Sequence, residues 1–171
     1  MPPDWKLLAD LNPGDLQATL LAQADAVMNG QPGPEEDRLL PSLPEPVRAT
    51  WLLGWLDYEV SQGSLLAYFY NSHGRHARLA AGVLRRIGAD RMADVVAEAD
   101  ASCERACGEW AARRAETDAG DHRTVAGPSI GLSNARDLGR LTGQYWKAAA
   151  DEDWAGKLGS YLQEQVALLA R

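Results

Sequence analysis

The sequence predicts an all-α fold: a single-domain bundle of about six to seven helices around a nearly all-apolar central helix. Three observations predict it. The 171 residues suffice for one ordinary core and fall short of two. The apolar fraction of 46% against 24% charged is the balance of a folded globular chain. Ala (28) and Leu (23) far outnumber Val (8) and Ile (2), which favours helices and starves any sheet of its usual residues.

Taken in order, the spacing predicts a first helix over residues 15–28, after Asn12-Pro13-Gly14, with Leu16, Leu20, Ala24 and Val27 on one face. Residues 30–46 hold five prolines and the run Glu35-Glu36-Asp37, and read as an acidic loop. A helix starting near Pro46 carries Trp51, Leu52, Leu53, Trp55, Leu56 and Val60 almost all the way round, so it should be the central one. Ser64 is placed to cap a short aromatic helix, Leu65 to Tyr70. A helix from Gly74 to Ile87 should stop at Gly88 in a left-handed cap. Asp90 is expected to cap a long helix running to about Arg114, with Met92, Val95, Val96, Ala99, Cys103, Ala106 and Trp110 on one side. Residues 116–134 read as an extended loop. Helices over about 135–149 and 152–170 form a C-terminal pair, the last one packing Trp154, Leu158, Tyr161, Leu162, Val166 and Leu169. Residues 1–171 thus read as one helical domain with a motif core over 47–90.

The formal charge is −7, from 17 basic and 24 acidic residues, which disfavours non-specific binding to nucleic acid phosphate. The start, Met1-Pro-Pro-Asp-Trp, lacks the basic and apolar regions of a secretion signal, and the longest apolar run, Trp51 to Leu56, is too short to span a bilayer. A cytoplasmic protein with no membrane partner is expected. Cys103 and Cys107 sit one helical turn apart, with no disulfide framework implied.

The segment Trp55 to Gly74, followed by Ile87-Gly88-Ala89, carries an acidic-valine pair, an aromatic core and an isoleucine-glycine-alanine corner. In these residues the chain resembles a bacterial family of all-helical domains whose namesake is the nineteen-kilodalton DNA-mimic protein. Glu59, Val60, Gly63, Tyr68, Phe69, Asn71, Gly74, Ile87, Gly88 and Ala89 match the family pattern, whereas Gln62, Ser64, Leu65 and Ala67 depart from it. The resemblance implies a helical fold, as monomer or homodimer, whose acidic surface imitates duplex phosphates and occupies the DNA-reading face of a regulator. The matching residues are themselves of a structural kind. Glycines supply corners, Tyr68 and Phe69 supply core, and Asn71 suits a cap.

Mimicry needs surface carboxylates spaced like phosphates, roughly 6 to 7 Å apart. Residues 1–46 carry 8 acidic and 2 basic groups, while residues 47–97 carry 4 and 6. The candidate acidic interaction surface is therefore Asp4, Asp10, Asp15, Asp25, Glu35, Glu36, Asp37 and Glu45, against the plain alternative of a solvated face. A contrary signal is the stripe Arg75, Arg78, Arg85 and Arg86, within an arc of about 100°. It would dock an acidic partner or a nucleic acid backbone, or else pair with carboxylates of its own chain.

Enzymatic readings are weaker. Glu59 falls on an apolar side of its helix, and a buried carboxylate must find donors, here the Gly63–Leu65 corner or a tyrosine hydroxyl, or serve as a general base. Asp57 projects about 160° away and supplies no second carboxylate. His73 and His76 with Cys103 and Cys107 offer a metal set of unconvincing spacing, because both cysteines lie on an apolar face. His122 sits in the 116–134 loop between charged neighbours. No phosphate loop, nucleophile elbow or HExxH motif is present. The sequence thus points to a non-enzymatic acidic module with a protein partner and with no catalytic residues, metal or cofactor. The alternatives are a small-ligand or enzyme site around Glu59, Tyr68 and Asn71, and direct nucleic acid binding through the arginine stripe.

Overall fold

The computed structural model describes residues 3–28, 34–72, 74–106 and 132–171. Among these, nine α-helices form an all-α bundle: α1 Trp5–Ala9, α2 Pro13–Met28, α3 Pro34–Leu39, α4 Glu45–Gln62, α5 Leu65–Ser72, α6 Ala77–Arg86, α7 Asp90–Ala106, α8 Leu132–Glu152 and α9 Trp154–Leu169. A 3-10 turn, Leu40–Ser42, joins α3 to α4.

Helix α4 is the hub, packed against α2, α5, α6 and α9, while α7 lies between α6 and α8. One continuous core results, filled by side chains such as Leu20 from α2, Leu53 and Leu56 from α4, Tyr68 and Phe69 from α5, Leu84 from α6, Met92 from α7, Tyr145 from α8 and Leu162 from α9. Each buried leucine or aromatic contributes roughly 1.5–3 kcal/mol of transfer free energy. That driving force explains why the helical faces read so directly from spacing. Within α4, however, Trp55 and Tyr58 stay 38% and 57% exposed, so this helix keeps an outer face instead of being buried all round.

Two helices go beyond the sequence expectation. Asp4 accepts from the amides of Lys6 and Leu7 and so starts α1. Helix α3 lies inside the segment expected to be a loop. Pro34 stands at its first position, where no amide hydrogen is needed, and Glu35, Glu36 and Asp37 fill its first turn, where acidic groups favour the helix N-terminus. Of the other prolines among the described residues, Pro41 falls in the 3-10 turn, and Pro44 and Pro46 fall at the start of α4.

Other boundaries differ slightly. On α2 the buried face is Leu16, Leu20, Ala24 and Met28, leaving Val27 exposed; on α9, Leu169 is exposed. Ser64 Oγ accepts from Leu66 and Ala67 amides, capping α5 as expected. Helix α6 begins at Ala77, because Gly74 to His76 form turns before it. Gly88 ends that corner with φ of 78°, a left-handed conformation that costs other residues about 1 kcal/mol or more. Asp90 is the first residue of α7, but the carboxylate that receives its first-turn amides is Glu152, which accepts from Arg91 N and Met92 N at 3.0 Å each. Met92, Val95, Val96, Ala99 and Cys103 line the buried side of α7 as expected. Its continuation to Arg114, together with Ala106 as a core residue, Cys107, Trp110 and most of the 116–134 loop with His122, lies outside the described residues, as does His73. Helix α8 starts at Leu132, three residues earlier than its spacing suggests.

Candidate functional site

The motif residues resolve into structure first. Glu59 on α4 is buried at 6% exposure, as its helical projection requires. Its partner is Asn71 on α5, whose Nδ2 donates to Glu59 Oε2 at 2.5 Å. The amide of Leu65, expected as a donor, goes instead to Thr142 Oγ1 of α8 at 3.1 Å. Glu59 and Asn71 thus tie α4 to α5 across the Gly63 corner. A Cβ on Gly63 would lie 2.8 Å from that of Ala67, so the corner closes only with glycine. Val60, Tyr68, Phe69 and Ile87 are core residues, and Gly74 and Gly88 hold positive φ.

Asp57 and Tyr145 form a second group that the sequence did not connect. Burial raises the carboxyl of Asp57 on α4. Burial, then the charge of Asp57, then Tyr68, push the Tyr145 hydroxyl of α8 far above the usual tyrosine range. A phenol so disposed keeps its proton throughout the physiological range, which suits packing and not proton transfer.

The arginine stripe is present on and just before α6, and all four members are paired within the chain. Arg75 Nη1 donates to Asp37 of α3 at 2.5 Å, and its side chain is only 8% exposed. Arg78 Nε donates to Asp100 of α7 at 3.0 Å and Nη2 to Glu104. Asp100, hydrogen-bonded to it, holds the Arg78 guanidinium above its ordinary value. Arg85 reaches Asp94 of α7 at 2.9 Å, and Arg86 reaches Glu45 of α4 at 2.8 Å. The stripe is a seam between α6 and its neighbours. Asp94, Asp100 and Glu104 were missed in the sequence because periodicity on α7 says nothing about which helix faces it.

The candidate acidic surface divides accordingly. Glu35 pairs with Arg38, Glu36 Oε1 takes a hydrogen bond from His76 Nε2 at 2.6 Å, Asp37 holds Arg75, and Glu45 is shared by Arg48, Arg86 and Tyr161. These four carboxylates belong to the internal network. Asp4, Asp10, Asp15 and Asp25 are exposed along α1 and α2, with no cationic partner among the described residues. Asp15 is steadied by Asn12, whose Nδ2 donates to it at 2.6 Å. His76 is committed to Glu36 and packs edge-on to Trp51 with ring centroids 5.5 Å apart, while Cys103 lies in the core. Among the described residues, no three His, Cys, Asp or Glu side chains cluster to hold a metal.

A cleft of about 450 Å³ opens between the α6–α7 corner and α9, lined by Arg86, Ile87, Asp153, Lys157, Tyr161 and Glu164 among others. Its charges balance, and Lys157 Nζ is already engaged with Gly88 O at 2.6 Å.

A family model described as DMP19-like protein matches residues 41–165, about three quarters of the chain, taking in the whole of α4 to α8 and most of α9. The chain belongs to the DMP19-like family. Every motif residue named above lies inside the DMP19-like match. Of the eight N-terminal carboxylates only Glu45 does, so the exposed acids of α1 and α2 lie outside it. No curated protein and no solved structure matches the chain. Among the described residues, no helix is long and apolar enough to cross a membrane.

Proposed function

We propose that this DMP19-like protein is a non-enzymatic interaction module of the cytoplasm. It presents the carboxylates of α1 and α2 to the basic face of a partner protein, a DNA-binding regulator, in place of DNA. The observation that carries the reading is the division of its acids. After the arginines of the α6 seam have taken their partners, Asp4, Asp10, Asp15 and Asp25 remain exposed. Asp15 and Asp25 sit on the outer face of α2, ten residues apart, which is about 15 Å along the axis, or roughly two phosphate intervals of a duplex strand. Such a surface accelerates encounter with a basic partner and loses its grip in salt.

Two alternatives lose ground on the same geometry. A nucleic acid backbone would have to displace the carboxylates already bound to the arginine seam. A catalytic Glu59 would have to release Asn71.

The test is a pull-down from the native host's lysate at low and high salt, read by mass spectrometry, with the wild type and an Asp10→Asn, Asp15→Asn, Asp25→Asn variant. The reading expects a DNA-binding regulator that is retained at low salt, displaced by duplex DNA and lost with the variant. Equal retention by the variant, or recovery of nucleic acid itself, would overturn it. Sizing of the protein alone decides whether it acts as monomer or homodimer.

A further inference from the structure

We propose that Arg75 and His76, just before α6 and with the His76 ring against Trp51, form a docking site for an acidic helical segment of a partner protein, filled in this structure by the chain's own α3. The two sides of this contact differ in how firmly they are built. On the receptor side, His76 is 4% exposed and Trp51 8%, and the His76 ring stands edge-on to the indole at 72°. The backbone beneath is fastened by Arg75 N to Ser72 O at 3.0 Å, Gly74 N to Ser72 Oγ at 3.1 Å and Ala77 N to Gly74 O at 3.1 Å. These backbone ties are made by the turn itself and involve no residue of α3.

Helix α3 is the opposite case. It has six residues, none of those with described side chains is buried, and Leu39 is only partly so. Helices of that length do not persist alone in water. What holds it are consecutive carboxylates on consecutive nitrogen donors: Glu36 Oε1 at 2.6 Å from His76 Nε2, and Asp37 Oδ2 at 2.5 Å from Arg75 Nη1 with Oδ1 at 3.9 Å from His76. Directly after it, Leu40 and Leu43 are buried at 2% and 5%, so the chain stays anchored at residue 40 when α3 lifts away.

The site also extends beyond its present occupant. Trp55 stacks on Trp51 at 6.4 Å, nearly parallel, and is 38% exposed, and Tyr58 follows at 57%. An acidic helix carrying an apolar residue one or two turns from its carboxylates would satisfy Arg75, His76 and this aromatic ridge together, which α3 is too short to do.

The experiment uses a fluorescein-labelled peptide of residues 34–43 against the full chain bearing Glu36→Gln and Asp37→Asn. Anisotropy should show the peptide binding this variant roughly tenfold more tightly than wild type, where α3 competes. Adding Arg75→Gln to the variant, or placing Gln and Asn in the peptide, should abolish binding. No binding to the folded variant, or equal binding to variant and wild type, would overturn the proposal. Hydrogen exchange on the unaltered protein tests the same point without any variant: α3 amides should exchange at least about tenfold faster than those of α6, and faster still at high salt. Equal protection of the two helices makes α3 a permanent part of the fold and ends the proposal.

Discussion

Glu45 is a single carboxylate serving three donors: Tyr161 Oη at 2.8 Å, Arg86 Nη2 at 2.8 Å and the Arg48 guanidinium. Burial pushes its carboxyl up, but the Tyr161 and Arg48 hydrogen bonds and the charges of Arg48 and Arg86 outweigh this and hold it below the ordinary 4.5. A carboxyl lowered in the folded state binds protons more weakly there than in the unfolded chain. Its contribution is therefore complete above the unfolded value and is lost as pH falls through the folded one. Glu45→Gln should cost about 2 kcal/mol at neutral pH. In thermal melts from neutral pH downward, the gap between wild type and variant should narrow once pH drops below about 4.5. At this scale the sequence was only half legible. The burial of Glu59 follows from its angle on α4, whereas the three donors that meet at Glu45 could not be read, because Tyr161, 116 residues away, leaves no trace in local spacing.

Among the elements, those that bury a face were readable: α2, α4, α5, α6, α7 and α9 announce themselves through leucine, alanine and aromatic periodicity, and Ser64 and Gly88 mark the corners as read. Helix α3 was not, because it buries no periodic face and its hold on the fold comes from side-chain hydrogen bonds to Arg75 and His76, 38 and 40 residues on. The start of α7 follows the same rule. Asp90 has the composition of a cap, yet Glu152 from the end of α8 accepts the amides of Arg91 and Met92. Glu152→Ala should therefore destabilise the protein by about 1 kcal/mol, the usual cost of losing an N-cap. The loss should be seen as faster hydrogen exchange in the first turn of α7, while Asp90→Ala should cost less.

For the molecule as a whole, a charge of −7 hides an organised internal pairing. Arg75, Arg78, Arg85 and Arg86 clamp α6 to α3, α7 and α4. Were the four a plain surface face, exchanging all of them for glutamate would leave the fold intact. With the pairs in place, the exchange turns attraction into repulsion at every one of them. The exposed pairs each contribute little because solvent screens them, and Arg75, nearly buried, contributes more. The quadruple variant should melt roughly 10 °C lower. An unchanged melting temperature would show the seam to be solvated after all.

The two ties at the α6–α7 corner, Glu152 to the first amides of α7 and Lys157 to Gly88 O, bridge 60 and 69 residues. During synthesis α7 therefore emerges with its first turn open, and the residues that finish it follow about 3 to 12 s later at ordinary ribosomal rates. Until then the newborn N-terminal half has a loose end at its seventh helix, and α8 and α9 close it last.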